Sequence, residues 1–190
     1  MIAVSGATGY IGGLLADSLL DAGEQVRVLA RTPSKAADLE RKGAEVVRAD
    51  MLERETLKPA LEGVDIAYYL VHSMGRGGDS DFEQRDHDAA VNFATAAAEA
   101  GVKRLVYLGG LGDEATSKHL RSRHKTAEAL QASGLPLTYF RAAAVLGAGS
   151  ESFRTVYYLV KRLPFMLAPS TAAARKYVTG SPDSCSASAV

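Results

Sequence analysis

Short apolar segments alternate with longer amphipathic segments over about the first 165 residues of the chain. A short apolar run bounded by turn residues is typical of a buried strand, whereas apolar positions three and four apart are typical of a helix. The predicted strands cover residues 2–4, 25–30, 44–49, 64–71, 104–108 and 136–141. The predicted helices cover residues 14–20, 35–41, 53–61, a long segment from a Ser80–Glu83 capping box to Gly101, 120–132 and 151–163.

This strict alternation of strand and helix predicts an α/β fold. Right-handed crossovers between parallel strands then give a doubly wound parallel sheet, the Rossmann fold, with the strand order 3-2-1-4-5-6. The run 64–71 (VDIAYYLV) is apolar throughout, as a parallel strand covered on both faces should be. In such a sheet the ligand crevice lies at the carboxyl ends of strands one and four.

A glycine-rich turn stands at the first of these strand ends. Gly6, Gly9 and Gly12 follow the first predicted strand and lead into the first predicted helix. Glycines at this spacing allow a sharp turn, close approach of the backbone to a pyrophosphate, and close packing of helix on sheet. The helix N-terminus adds free N–H groups and the positive end of its dipole. The turn therefore predicts a dinucleotide site, with a purely structural turn as the alternative.

Composition excludes several other functions. Basic and acidic residues are equal in number, 22 of each, so no general basic surface is available for nucleic acid. The basic segment 121–125 (RSRHK) is interpreted as the solvated start of a helix, with an anion-contacting patch as the alternative. A single cysteine, Cys185, and four scattered histidines predict neither a disulfide nor a metal site. Because no signal peptide and no apolar run of about 18 residues is found, we expect a cytoplasmic protein without a membrane span.

Six motifs stand in order at the strand ends of the predicted series: GATGYIGG (6–13), VLAR (28–31), RADM (48–51), YYLVHSMG (68–75), RLVYLGGLG (104–112) and SGLPLTYFRAA (133–143). As a set they resemble the atypical or extended short-chain dehydrogenase/reductase superfamily, and most of all its NmrA-like, NAD(P)H-binding members. The resemblance covers about residues 1–165.

The resemblance implies a cofactor site built from the strand ends. The residues that it assigns to the glycine turn and the pyrophosphate are Gly6, Thr8, Gly9, Tyr10, Ile11 and Gly12. Asp50 and Met51 would flank the adenine, and Leu70, Val71 and His72 would line the ribose and nicotinamide side.

The residue that ends the second strand selects the cofactor in this superfamily. An acidic residue there would accept hydrogen bonds from the ribose hydroxyls of NAD. This chain has Arg31 instead, with Lys35 nearby, and cations favour the 2′-phosphate of NADP. We therefore expect NADP, with NAD as the alternative.

The usual catalytic residues of the superfamily are missing. Its typical members carry a serine after strand five and a Tyr-x-x-x-Lys pair on the next helix. Here Gly109 and Gly110 follow the fifth predicted strand, and the helix start reads KHLRSRHK (118–125). The candidates to move a proton in their place are His72, His119, Ser122 and Lys125. A Tyr157–Lys161 match lies after strand six and is interpreted as a coincidence.

Three functions stay open at this point. The first is an NADPH-dependent oxidoreductase with nonstandard acid–base chemistry, an unnamed small-molecule substrate and a lid at residues 75–78. The second is a non-catalytic NAD(P)H sensor or scaffold, which the missing serine and tyrosine favour. The third, sugar-nucleotide epimerase chemistry, ranks last because it needs the same tyrosine. The sequence leaves a homo-oligomer open.

The predicted domain organisation is a cofactor-binding domain over residues 1–167 and a tail over 168–190. The tail is rich in Ala, Ser, Thr, Gly and Pro, a composition typical of disorder. The superfamily usually continues with a strand and a small substrate-binding lobe, so a truncated or frame-shifted chain is a further expectation.

Overall fold

One parallel sheet organises the first compact unit of the protein, residues Met1–Ala142. The computed structural model describes residues 1–72, 82–112, 118–142, 145, 147 and 149–162. Over these residues six strands pair in the order β3-β2-β1-β4-β5-β6, and every pairing is parallel. The strands are β1 Ile2–Ser5, β2 Val26–Ala30, β3 Glu45–Arg48, β4 Ile66–Tyr69, β5 Arg104–Gly110 and β6 Leu137–Ala142. The predicted doubly wound fold and its strand order are confirmed.

Helices connect successive strands, as the parallel pairing requires. They are α1 Tyr10–Asp21, α2 Ala37–Arg41, α3 Arg54–Leu61, α4 Phe82–Glu99 and α5 Lys118–Gln131. The second predicted helix divides into a 3-10 turn, Pro33–Ala36, and the short α2. Ser80, the predicted cap of the long helix, lies outside the described residues.

Two strand bounds differ from the prediction in ways that bear on the site. β4 is four residues long, because its pairing with β1 ends where Ser5 faces Tyr69. β5 is longer than predicted and includes Gly109 and Gly110, which pair with Arg141 and Ala142 of β6. The two glycines are therefore strand residues and not part of the loop that follows.

The core consists of two apolar clusters, one on each face of the sheet. Ala3 and Val4, neighbours in β1, are both fully buried and belong to different clusters, because successive strand side chains point to opposite faces. The larger cluster packs α3, α4 and α5 against the sheet, around Phe93 and Tyr69. The smaller cluster packs α1 and the 3-10 turn. The sheet is thus covered on both faces, and its carboxyl edge is the place left for a ligand.

The second compact unit comprises residues Ala143–Val190, of which 145, 147 and 149–162 are described. It contains the helix α6, Glu151–Arg162. Ser150 caps this helix through its Oγ, which accepts a hydrogen bond from Phe153 N at 3.1 Å. The tail predicted over 168–190 lies outside the described residues, and the predicted domain bound at 167 stays a prediction.

The core predicts a large effect of truncating Phe93. Its ring is fully buried on α4, with its centroid 5.0 Å from that of Tyr69. Phe93→Ala should lower the free energy of unfolding by about 3–5 kcal/mol, because it leaves a cavity between helix and sheet. Urea unfolding followed by circular dichroism measures the change. Val91→Ala on the same helix is the control, since Val91 is 38% exposed. Equal effects of the two substitutions would contradict this assignment of the core.

Candidate cofactor crevice

The glycine turn joins β1 to α1 within a space that admits almost no side chain. Gly6 has a φ of 80°, and a Cβ built on it would lie 2.7 Å from the backbone carbonyl of Leu70. A Cβ on Gly12 would lie 2.3 Å from Gly6 O. Both distances are far below van der Waals contact with backbone atoms that cannot move freely. Gly6 and Gly12 are therefore required by the packing of β1, α1 and the end of β4.

Gly9 is different, because the fold alone does not demand glycine there. Its φ of −90° and ψ of 170° suit any residue, and it is exposed. A Cβ on it would meet only Gly6 O, at 3.2 Å. Gly9 N donates to Gly6 O at 2.9 Å, which closes the turn. A glycine at this exposed position leaves the turn open to close approach from outside.

The N-terminus of α1 opens directly onto this turn. Its N-cap is Gly9, which supplies no side-chain hydrogen bond, and its first turn carries no acidic residue. No side chain of the N-cap or of the first helical turn therefore neutralises the free N–H groups and the positive end of the helix dipole. Thr8, Tyr10 and Ile11 surround this opening, and the first two are exposed. The arrangement suits an anionic group such as a pyrophosphate.

Two exposed cations stand beside the turn, at the end of β2. Arg31 follows the last residue of β2, and Lys35 lies in the 3-10 turn after it. No carboxylate pairs with either side chain among the described residues. They are free to contact a phosphate at this edge of the sheet.

Asp50 and Met51 shape the turn between β3 and α3. Asp50 Oδ1 accepts a hydrogen bond from Leu52 N at 3.0 Å, and Asp50 N donates to Thr56 Oγ1 at 3.0 Å. Met51 is buried, and its carbonyl accepts from Asn92 Nδ2 at 3.1 Å. These bonds fix the turn at the carboxyl edge beside β2. Contact of either residue with an adenine stays a prediction.

The segment after β4 passes directly behind the glycine turn. Leu70 N donates to Ser5 O at 3.3 Å, and both Leu70 and Val71 are half-buried. His72 then emerges at the carboxyl edge with an exposed surface. Its pKa is nevertheless lowered, first because protein atoms crowd the ring and desolvate the imidazolium, and second because Arg123 repels its positive charge. The neutral imidazole is therefore favoured. The lid predicted at residues 75–78 lies outside the described residues.

The other predicted proton carriers are on α5 and point in different directions. Ser122 is buried, and its Oγ donates to Asp86 of α4 at 3.1 Å. His119 is exposed, with its ring centroid 5.3 Å from that of Phe82. Lys125 Nζ lies 3.6 Å from Glu83 and borders an open groove of about 760 Å³ between α4 and α5. His72 and His119 interact electrostatically, whereas Lys125 is not among the groups that shift the pKa of His72. Catalytic roles for these residues stay predictions.

Sequence reasoning did not single out Arg123, which contacts β5 and acts electrostatically on His72. The basic segment 121–125 is not simply a solvated helix start, since Arg123 is half-buried and its Nη1 donates to Leu108 O at 3.3 Å. No carboxylate lies within ion-pair distance of it in the described part of the chain. The helical spacing was the available signal, because His119 and Arg123 are four residues apart and share one face of α5.

Sequence reasoning also missed Tyr139 of β6. Its ring stacks on that of Tyr107, with centroids 5.3 Å apart, as their register in β5 and β6 requires. Its hydroxyl is closed to water and has no hydrogen-bond partner among the described residues. The sequence analysis placed Tyr139 only within the sixth predicted strand and gave it no part in the site.

The Tyr157–Lys161 pair lies in α6 of the second unit. Both side chains are exposed, and Lys161 Nζ lies 5.6 Å from the centre of the Tyr157 ring. This contact is a cation–π interaction between two residues of the same helix, so the described partner of Lys161 is the Tyr157 ring.

These features define a dinucleotide-binding Rossmann domain, and comparisons with known proteins agree. The model of the family described as NAD(P)H-binding matches residues 6–162. The chain therefore belongs to this NAD(P)H-binding family, and its resemblance to the NmrA-like, atypical short-chain dehydrogenase/reductase group is confirmed.

Its relatives include reductases. The chain is 34% identical over 144 residues to the (4-alkanoyl-5-oxo-2,5-dihydrofuran-3-yl)methyl phosphate reductase of Streptomyces griseus. The aligned region covers 74% of this chain and 46% of that protein. The crystal structure of Citrobacter sp. triphenylmethane reductase complexed with NADP(H) superposes with a TM-score of 0.67 and 29% identity, over 76% of this chain and 50% of that one. The crystal structure of the NADPH-dependent quinone oxidoreductase of Escherichia coli, complexed with NADPH, superposes with a TM-score of 0.64 and 31% identity. The superposition covers 75% of this chain and 48% of that one.

The chain spans about half the length of these relatives. Among the described residues, no helix has both the length and the apolar character needed to cross a membrane.

The geometry of the turn predicts opposite outcomes for two glycine substitutions. Gly12→Ala should unfold or strongly destabilise the domain, because its Cβ would overlap Gly6 O. Gly9→Ala should keep the fold and weaken dinucleotide binding by at least about tenfold, because the Cβ would stand where a pyrophosphate approaches. Thermal unfolding and NADPH titration of both variants separate the effects. A Gly9→Ala variant with unchanged NADPH affinity would show that no ligand approaches this turn.

The electrostatic coupling of His72 and Arg123 can be measured without a cofactor. Arg123→Met should raise the pKa of His72, since one positive charge is removed, while the crowding of the ring still holds the pKa below its ordinary value. An NMR titration of the imidazole Cε1–H signal measures both values. Arg121→Met is the control, because Arg121 Nε lies 3.7 Å from Glu83 and its charge is not among those that shift His72. An unchanged His72 pKa in Arg123→Met would contradict the placement of the guanidinium.

Proposed function

We propose that this chain is the cofactor-binding part of an NADPH-dependent oxidoreductase. The observation that carries the proposal is the edge of the sheet that holds the Gly6–Gly12 turn, the uncapped N-terminus of α1 and Arg31, with which no described carboxylate pairs. The turn and helix suit a pyrophosphate, and Arg31 suits the additional 2′-phosphate of NADP. Family membership and the NADP(H)- and NADPH-bound reductase structures support the same cofactor.

The absence of the usual serine and tyrosine does not exclude reduction. The nicotinamide supplies the hydride when it is bound, so the protein needs only to position the substrate and to stabilise its oxygen. Quinones and activated carbonyls suit such a site, because they accept hydride with less help from an acid. One structural relative, from Escherichia coli, is an NADPH-dependent quinone oxidoreductase.

A non-catalytic NADPH sensor is the competing function. Gly109 and Gly110 favour it, since neither can supply a hydroxyl where typical members carry serine. Epimerase chemistry is not proposed, because it needs the tyrosine that α5 lacks.

Turnover separates the oxidoreductase from the sensor. The protein is mixed with NADPH and a panel of quinones and aldehydes, and the absorbance of the reduced nicotinamide is followed. Protein-dependent loss of NADPH with at least one acceptor supports the oxidoreductase. Saturable NADPH binding without turnover on any acceptor supports the sensor and overturns the proposed reaction for this chain.

The cofactor preference gives a test of Arg31. Arg31→Ala should weaken NADPH binding by about tenfold or more and leave NADH binding unchanged, because only NADPH carries the 2′-phosphate. Calorimetric titration measures both affinities. Arg41→Ala is the matched control, since Arg41 is an exposed arginine of α2 that pairs with Asp38. Equal losses for NADPH and NADH in Arg31→Ala would place the guanidinium elsewhere in the site.

A further inference from the structure

We propose that Tyr139 and Arg123 form an oxygen-binding subsite at the carboxyl ends of β5 and β6, which takes the anionic oxygen of a phenolate-like or enolate-like ligand. The subsite consists of these two side chains and the two glycines beside them, Gly109 and Gly110. This proposal rests on the proposed function, because it assumes that a nicotinamide binds beside the subsite.

The first observation is the hydroxyl of Tyr139. It is closed to water and donates to no acceptor in the described part of the chain. Buried hydroxyls are nearly always paired, and leaving one unpaired is unfavourable. Its stacking partner Tyr107 shows the usual outcome, because the Tyr107 hydroxyl donates to Arg123 O at 3.3 Å. Tyr139 therefore keeps a donor that none of the described residues accepts.

The second observation is the missing side chain at residue 109. A Cβ built on Gly109 would lie 2.7 Å from Tyr139 Oη and 2.6 Å from Cε2 of the same ring. The phenol therefore occupies the space that a side chain at 109 would need. Tyr139 as a whole is half-buried, so part of the residue reaches the protein surface.

The third observation is the cation beside them. A Cβ built on Gly110 would lie 2.6 Å from Leu120 Cδ2 and 4.0 Å from Arg123 Cγ. Arg123 Nη1 donates to Leu108 O, and the guanidinium, which has five donors in all, also interacts with the Tyr107 hydroxyl. A half-buried arginine normally pairs with a carboxylate, yet none is within reach among the described residues.

The charges around the phenol agree with an anion acceptor. Burial raises the pKa of Tyr139, while Arg141 and Arg123 act in the opposite direction. Arg141 Nη2 donates to Gly112 O at 3.0 Å, and its charge acts on the phenol in the same direction as that of Arg123. The pKa of His72 is lowered, which favours its neutral form, so it adds no competing cation. A neutral phenol and a fixed guanidinium complement an oxygen that carries negative charge.

Binding of 4-nitrophenolate tests the subsite without turnover. The probe is titrated into the protein with and without NADP⁺, at a pH where the probe is ionised, and its absorbance shift is followed. Wild type should bind it saturably. Tyr139→Phe and Arg123→Met should each weaken binding by about tenfold or more, because each removes a hydrogen bond to a charged oxygen. Arg121→Met should change it less than about twofold.

Urea unfolding shows whether each variant is still folded, which separates a loss of probe binding from a loss of structure. Tyr139→Phe should be at least as stable as wild type, because it removes an unpartnered buried hydroxyl, whereas Tyr107→Phe should be less stable. Weaker probe binding by a stable Tyr139→Phe variant supports the subsite. Absence of binding by wild type, or equal binding by wild type and Tyr139→Phe, overturns it.

Failure of the subsite and failure of the proposed function are distinguishable. If the protein binds NADPH but not 4-nitrophenolate, the proposed cofactor function stands and the subsite is overturned. If the protein binds 4-nitrophenolate through Tyr139 but binds no NADPH, the oxygen-binding subsite stands and the oxidoreductase assignment is overturned.

Discussion

The contact between the glycine turn and its surroundings is the constraint on which the rest of the site depends. Gly6 lies against the backbone of Leu70 and Gly12 lies against Gly6, at distances that exclude even a methyl group. This contact brings the end of β1, the start of α1 and the segment after β4 together at one edge of the sheet. The helix N-terminus consequently points at the crevice, and His72 emerges on its other side. Without that close approach, the strand order alone would not produce a phosphate site.

The sequence predicted this part of the fold because its signals are local. Short apolar runs, the amphipathic segments between them and the Gly6–Gly12 spacing each depend on neighbouring residues, and the structure confirms the strand order that they imply. The ends of β4 and β5 were predicted less well, because pairing with a neighbouring strand decides where a strand stops. Gly109 and Gly110 looked like a loop, yet hydrogen bonding to β6 keeps them in the sheet.

Arg123 and Tyr139 could not be predicted as site residues for the same reason. Arg123 stands in a basic segment that looks solvated, and only the packing of α5 on β5 turns it toward Leu108. Tyr139 looks like an ordinary strand aromatic, and its unpaired hydroxyl follows from the register with Tyr107 and from the missing side chain at 109. Both properties arise from contacts between distant segments, which no local pattern records.

The central claim is that the crevice binds NADPH in preference to NADH, and a fluorescence titration of the unmodified protein tests it most directly. The chain has no tryptophan, so the emission of the reduced nicotinamide can be followed against a low background. Saturable enhancement with NADPH, and much weaker binding of NADH, is the result that the geometry of the turn and Arg31 predicts. Absence of binding by either nucleotide would mean that the glycine turn serves only to pack β1 against α1.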